Sequence, residues 1–417
     1  MEKPEEKKIK SFDQSQPLTE GDLKREIWPL FSRAIEGDRE RNEIYLANHS
    51  LGRPLDQTAL DIQEGLQVWY ASMDRAWDDA QGWQEASNTF RNQIAQLFNL
   101  PSGANVIPKN NAGQGLRAVL NAFPQNKKLR VVATTGEFDS ADFILKSYEE
   151  AGRISVQWVK PARCGQGIEL FNAEQIDDAV DANTDLLVVS QVFFGTGQIL
   201  GHLRELIASV QEKGCRVILD VYHSAGIVPC DLRDLHPDFA MGGCYKYLRG
   251  GAGAGFLVIG DHVLAGLELK TLDIGWFAKQ NPMHFERHQH ALRGEGTEGW
   301  LDSTPPVIIP YQARAGLNLV LHLGIERIRA YSLQQQMSLR SELLRNGVGV
   351  YEPEVPGSSG GFSLIPHPEA SECVRQLRES GVNCDARGQL IRLCPDVIND
   401  NAALIKVAQT VGKLFLG

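Results

Sequence analysis

Lys246 lies between two tyrosines in the stretch 241–259, MGGCYKYLRGGAGAGFLVI, which otherwise reads as buried. Most lysine side chains lie in water, and a surface turn is the simplest account of this one. A lysine held out of water has a different chemistry. Desolvation lowers its proton affinity, and the neutral amine attacks an aldehyde to form a Schiff base. Upstream, the β-branched run RVILD ends at Asp220 and is followed by VYHSAG. Asp220 thus falls at the carboxyl end of a predicted parallel strand, the edge where α/β sheets place their ligands. A capping aspartate is the competing reading for that residue taken alone.

Together the two residues match what pyridoxal phosphate requires of a protein. A lysine holds the aldehyde, and a carboxylate keeps the pyridine nitrogen protonated, which makes the ring a better electron sink. The phosphate needs a cradle as well. In NNAGQGLRAVLNAF (110–123) a turn of small residues opens a helix, whose first N–H groups are free for an anion. The pattern is neither G-x-G-x-x-G nor a P-loop with its lysine. In TTGEFDSADF (134–143), Phe138 follows a strand and is placed to stack on a ring, or to fill the core.

Positioning these residues takes an alternating α/β framework. The runs RVVAT (130–134), SVQWV (155–159), DLLVVS (185–190), RVILD (216–220) and GFLVI (255–259) read as buried strands. Helical patterns lie between them. In HLRELIASVQEKG (202–214), Leu203, Leu206, Ile207 and Val210 share a face and Gly214 is a stop signal. The alternation predicts a mostly parallel mixed sheet flanked by helices. After STPPVIIP (303–310) the texture changes to one or two long helices broken near Gly324, then short strand and helix signals. We expect an N-terminal segment over 1–60 packing on the rest, a large domain over 61–305 and a smaller α+β domain over 306–417.

The chain has 417 residues, 42% hydrophobic and 23% charged, with a formal net charge of −10. That balance argues against a nucleic-acid partner, which calls for a basic footprint. The sequence holds no apolar run long enough to span a bilayer. The first residues, MEKPEEKKIKSFDQSQ, read as a charged, frayed tail rather than a targeting signal. Seven cysteines lie scattered without a C-x-x-C pair, so reduced thiols, a cytoplasmic location and no metal centre are expected.

In this order along the chain, Asp220-x-x-His223 and Tyr245-Lys246-Tyr247-Leu248 with its trailing glycines resemble kynureninase, of the fold-type I, class V aminotransferase-like superfamily. NHSLGRP (48–54), WDDAQGW (77–83), TGQ (196–198), GW (275–276), TPP (304–306), GIERIRAYSL (324–333) and IR (391–392) extend the resemblance over most of the chain. It implies hydrolysis of L-kynurenine or 3-hydroxykynurenine to an anthranilate and L-alanine. It implies Lys246, Tyr245 and Asp220 as catalytic residues. It places Ala112, Gly113, Phe138, Asp139, Ser140, Ser190, Asp220, His223, Tyr245 and Lys246 around the pyridoxal phosphate. Trp276 and Thr304 would arrive from a neighbouring subunit of a homodimer. Ser50 would help shape the aryl pocket, and Arg392 would grip the α-carboxylate as a bidentate fork.

Four departures bear on the substrate. Phe193, Phe194 and Gly195 replace a tyrosine pair before T-G. Ala141 stands where F-P-x-D has its aspartate, with Asp142 one place late. Arg249 replaces an asparagine before the glycine pair. Tyr222 replaces the alanine of D-x-A-H. These favour, as the alternative, another class V aminotransferase or lyase acting on a different amino acid. A cysteine desulfurase needs a nucleophilic cysteine on a mobile loop, whereas PGSSGGFS (356–363) has none and Cys384 lies in another context. A binding protein without turnover is disfavoured by the intact Lys246, Asp220 and Arg392. A nicotinamide-dependent oxidoreductase is disfavoured by the absent glycine fingerprint.

Overall fold

The computed structural model describes residues 15–78, 80–163, 168–266, 269–284 and 286–416. The start of the tail, Asp79 of WDDAQGW and Cys164 lie outside the described residues. A seven-stranded sheet carries the site. Its strands are β1 (Val106–Lys109), β2 (Leu129–Thr134), β3 (Ile154–Val159), β4 (Leu186–Ser190), β5 (Arg216–Asp220), β6 (Phe239–Gly243) and β7 (Gly255–Ile259). The spatial order is β1-β7-β6-β5-β4-β2-β3.

Every pairing among β2 to β6 is parallel, and β7 runs antiparallel to both neighbours. Parallel strands require long crossovers, and helices such as Asp139–Glu150 and Leu203–Glu212 supply them. The antiparallel β6–β7 pair needs no crossover. That leaves residues 244–254, with Lys246 among them, free to fold over the sheet's carboxyl edge. Strands β4 to β7 are buried on both faces, which is why β4, β5 and β7 read as continuous apolar runs, whereas the edge strand β3 is partly exposed.

The register aligns the chemistry. Ser190 and Asp220 are Cα partners at the ends of β4 and β5. The loops leaving β1, β2, β4, β5 and β6 therefore all open on one edge, where parallel sheets form their ligand crevices.

The predicted break at Gly324 is present. One helix spans Ile309–Leu323 and the next Ile325–Arg345, with Gly324 at φ +81° between them. Beyond lies a small antiparallel sheet of β8 (Ser363–Pro366), β9 (Asp385–Arg387) and β10 (Leu390–Leu393), in the order β8-β10-β9. The N-terminal segment packs on both regions. Leu23, Ile27 and Phe31 join a hydrophobic cluster shared with the large sheet. Ile44 and Tyr45 pair in parallel with Val382 and Asn383. None of the described helices is long and apolar enough to cross a membrane.

Candidate active site

A cavity of roughly 220 Å³ lies at the carboxyl edge of the sheet. Its walls include Ala112, Gly113, Phe138, Ser140, Ser190, Asp220, His223, Tyr245 and Lys246. Residues scattered over 135 positions of sequence thus meet in one hollow because each lies at the end of a strand, in the loop that follows it, or at the start of the next helix.

Lys246 is 5% exposed. Burial pushes its amine well below the ordinary lysine value, with Asp220 opposing that effect. Its Nζ lies 2.5 Å from His223 Nε2. Phenyl and phenol rings surround it: the Nζ is 5.4 Å from the centre of Phe138, 4.8 Å from Tyr222 and 5.8 Å from Tyr245. Burial also drives His223 far below the usual imidazole range, so it is a neutral partner. Asp220 is buried too, and burial pushes its carboxyl upward. It accepts a hydrogen bond from the Tyr222 N–H at 2.7 Å.

The backbone of Lys246 is held from behind by the segment 48–52. The Gly52 N–H donates to the Tyr245 carbonyl at 2.8 Å. A Cβ at Gly52 would run into the Lys246 carbonyl oxygen, so the close approach needs glycine. This gives NHSLG a physical role: it braces the lysine.

The helix Ala112–Leu120 is capped by Asn111, whose side chain accepts from the Gln114 N–H at 3.0 Å. Its first residues, Ala112 and Gly113, line the cavity. A Cβ at Gly113 would come within 3.0 Å of Ile144, so the cradle has little room to spare. The donor set fits pyridoxal phosphate: a buried amine for the aldehyde, a buried carboxylate that lacks a permanent cation, an aromatic face at Phe138, and a helix N-terminus for the phosphate.

Other predicted residues fall elsewhere. Asp139 begins the helix Asp139–Glu150 and is not part of the wall. Ser50 is in the bracing segment, its N–H donating to Ala47 at 2.8 Å. Trp276 Nε1 donates to Thr304 Oγ1 at 3.0 Å, and neither lines the cavity of their own chain. Thr304 instead borders a second hollow of roughly 260 Å³ with Trp77, Trp83 and Phe277. Arg392 is 2% exposed and reaches the cavity wall by donating to the Phe194 carbonyl.

The departures resolve individually. Phe193 is core, stacked on Phe171 at 4.5 Å, whereas Phe194 lines the cavity edge-on to Phe138 at 5.2 Å. Asp142 turns outward to Lys146 at 2.8 Å, while Ser140 and Ala141 face the cavity. Arg249 has φ +55°, a left-handed conformation that asparagine adopts more readily. Its guanidinium points away to Asp396 and the Tyr247 carbonyl. Tyr222 does enter the cavity, with its ring edge-on to Tyr245 at 5.4 Å. Gly243 accommodates it, because a Cβ there would collide with the phenol.

Sequence reasoning missed Glu137. It is 3% exposed, and its carboxyl accepts from Thr134 Oγ1 and Ser190 Oγ, both at 2.6 Å. A charged residue between a strand and Phe138 was the available signal. Burial raises its pKa from 4.5 to about 8, against the pull of those two hydroxyls. The folded chain therefore keeps a proton that the unfolded chain has released. Stability from this group is complete below pH 4.5 and declines until pH reaches about 8. Glu137→Gln removes that decline. Thermal unfolding should show the variant gaining roughly 2–4 kcal/mol over wild type between pH 5 and pH 8. An equal gap at both pH values would refute the neutral carboxyl.

The aminotransferase class-V family matches residues 44–388. The kynureninase of Pseudomonas fluorescens is 27% identical over 356 residues, covering 82% of each chain. An uncharacterized aminotransferase of Bacillus subtilis strain 168, YcbU, is 24% identical over 85% of this chain and 91% of its own. Among solved structures, the cystine C–S lyase C-DES with its product cysteine persulfide superposes with a TM-score of 0.77 at 18% identity, over 89% of this chain and 97% of the other. A seven-stranded mixed sheet, a buried lysine at its carboxyl edge and a family match over most of the chain lead to one assignment: this chain belongs to the class V aminotransferase family of pyridoxal-phosphate enzymes, of fold type I.

Proposed function

We propose that the protein hydrolyses L-kynurenine or 3-hydroxykynurenine to anthranilate or 3-hydroxyanthranilate and L-alanine. The observation that carries the reading is the buried Lys246 in one cavity with Asp220 and Tyr245, with Arg392 reaching the wall through Phe194. The relatives named kynureninase supply the substrate class.

Pyridoxal phosphate, when bound, supplies the electron sink for charge left at the substrate Cα. The chain's own groups do the rest. Asp220 would keep the pyridine nitrogen protonated. Ala112 and Gly113 would hold the phosphate at the helix N-terminus. Lys246 would hold the cofactor at its aldehyde, and its Nζ would take the proton from the substrate Cα. Its desolvation makes a neutral amine available for that work. Water adds to the γ-carbonyl, the Cβ–Cγ bond breaks, and the alanine fragment takes up a proton. Burial holds the Tyr245 phenol above its ordinary pKa, so it stays protonated and able to donate to that fragment. Arg392 binds the α-carboxylate. Trp276 and Thr304 complete the site from the other subunit of a homodimer, and the hollow at Trp77 receives aryl groups there. The six described cysteines are free and buried, the state expected in the cytoplasm.

A second reading, a class V lyase or aminotransferase on another amino acid, is favoured by Tyr222 narrowing the cavity. Within it, a cysteine desulfurase is disfavoured, because the Cys384 thiol is buried and pushed up to about 12, far from a reactive thiolate. The test is a substrate panel of both kynurenines, cysteine, cystine, aspartate and alanine with pyruvate. The proposal expects kcat/KM to be highest for a kynurenine, with alanine and an anthranilate released in equal amounts. Inertness toward both kynurenines, with turnover of another amino acid, would move the assignment to the second reading.

A further inference from the structure

We infer that Asp385 is a positioning residue that presents Arg392 to the substrate carboxylate. The inference rests on the reading above, in which Arg392 binds that carboxylate. Asp385, on β9, faces Arg392 of β10 across a Cα pairing. Arg392 Nε donates to Asp385 Oδ1 at 2.7 Å and Nη2 to Oδ2 at 2.5 Å, a side-on fork. Nη1 donates to the Phe194 carbonyl. A guanidinium has five N–H donors. With those three engaged, one N–H remains on each of Nη1 and Nη2, the two nitrogens that a carboxylate takes when it binds a guanidinium end-on.

The arrangement solves a burial problem. A guanidinium only 2% exposed needs an anion when no substrate is bound, or it would be an uncompensated interior charge. Asp385 supplies the anion from the Nε side and leaves a donor on each Nη. Asp385 is held in turn by His49, whose Nε2 lies 2.8 Å from Oδ1. His49 is fully buried, and burial pushes its pKa down to about 4, so it is a neutral donor at physiological pH. His49 belongs to the segment that braces the Lys246 backbone, so one piece of chain fixes both the lysine and, through Asp385, the arginine. Against burial, His49 and Arg392 hold the Asp385 carboxyl far below its ordinary value, so it stays ionised. A second anion beside Arg392 calls for a second cation. Arg387, on the same strand as Asp385, is close enough that its charge acts on Lys246, His223 and Tyr245.

The experiment titrates wild-type holoenzyme, Asp385→Asn and Arg392→Lys with L-kynurenine and with its decarboxylated amine, following the visible spectrum and the steady-state rate. Asp385→Asn should weaken L-kynurenine by about ten-fold or more in Kd and KM, with kcat changed less than about three-fold. Affinity for the decarboxylated amine and for pyridoxal phosphate should not change. Asp385→Glu, which keeps the charge, should fall between, and carries the test if the asparagine variant does not fold. If Arg392→Lys weakens L-kynurenine and the Asp385 variants do not, or if the amine weakens equally, the positioning role is overturned while the functional reading stands. If wild type does not respond to L-kynurenine, or Arg392→Lys leaves its affinity unchanged, the functional reading falls and this inference with it.

Discussion

Lys246→Ala should yield a folded protein that no longer acquires a visible absorbance band with pyridoxal phosphate and has lost turnover by at least about 10³-fold. Two proposed roles disappear with one nitrogen: the covalent hold on the aldehyde and the base that reaches the substrate Cα. The phosphate cradle at Ala112 and Gly113 is untouched, so the cofactor should still bind, weakly and without the band. Folding should survive. The amine is 5% exposed and its nearest polar partner is a neutral imidazole at 2.5 Å, so its removal also removes a desolvation cost. Spectrophotometry, equilibrium dialysis and circular dichroism on one preparation check all three statements. A variant that keeps the band would place the Schiff base elsewhere and undo the site assignment.

Asp220→Asn should keep the cofactor in place and lower turnover by about 10²–10⁴-fold. The substitution isolates charge from shape. Asparagine still accepts the Tyr222 N–H that Asp220 accepts at 2.7 Å, so the turn into His223 is preserved. What it cannot do is hold the pyridine nitrogen cationic, and the ring becomes a poorer sink. The deficit should appear in Cα-proton exchange with deuterated solvent to the same extent as in overall turnover, because in the proposed reaction the carboxylate acts before C–C cleavage. KM should move little. Activity within about three-fold of wild type would show that the carboxylate does not face the ring.

Much of this site was legible in the residues alone. Lys246 and Asp220 announce themselves because each breaks a local rule: a cation in a glycine-rich, apolar stretch, and a carboxylate at the end of a β-branched run. Five of the seven strands were legible as apolar, β-branched runs, whereas Val106–Lys109, which contains a proline and a lysine, and Phe239–Gly243, which ends in two glycines, were not. Gly324 was legible as a helix break because it takes a positive φ at that junction.

The tertiary structure decided what no local pattern encodes. Glu137 and Ser190 lie 53 positions apart, and only the adjacency of their strand ends makes them partners. The acceptability of Tyr222 depends on Gly243, which lies on the next strand of the sheet. The orientation of Arg392 depends on a hairpin partner, Asp385, and on His49 from the far end of the chain. The physical reason is common to all three. Residue types set which reactions a side chain can perform, whereas its ionisation and direction depend on desolvation and on hydrogen-bond partners that strand order and register bring together. The sequence by itself determined the cofactor chemistry; the folded chain decided how tightly that chemistry is enclosed and which partners hold Arg392.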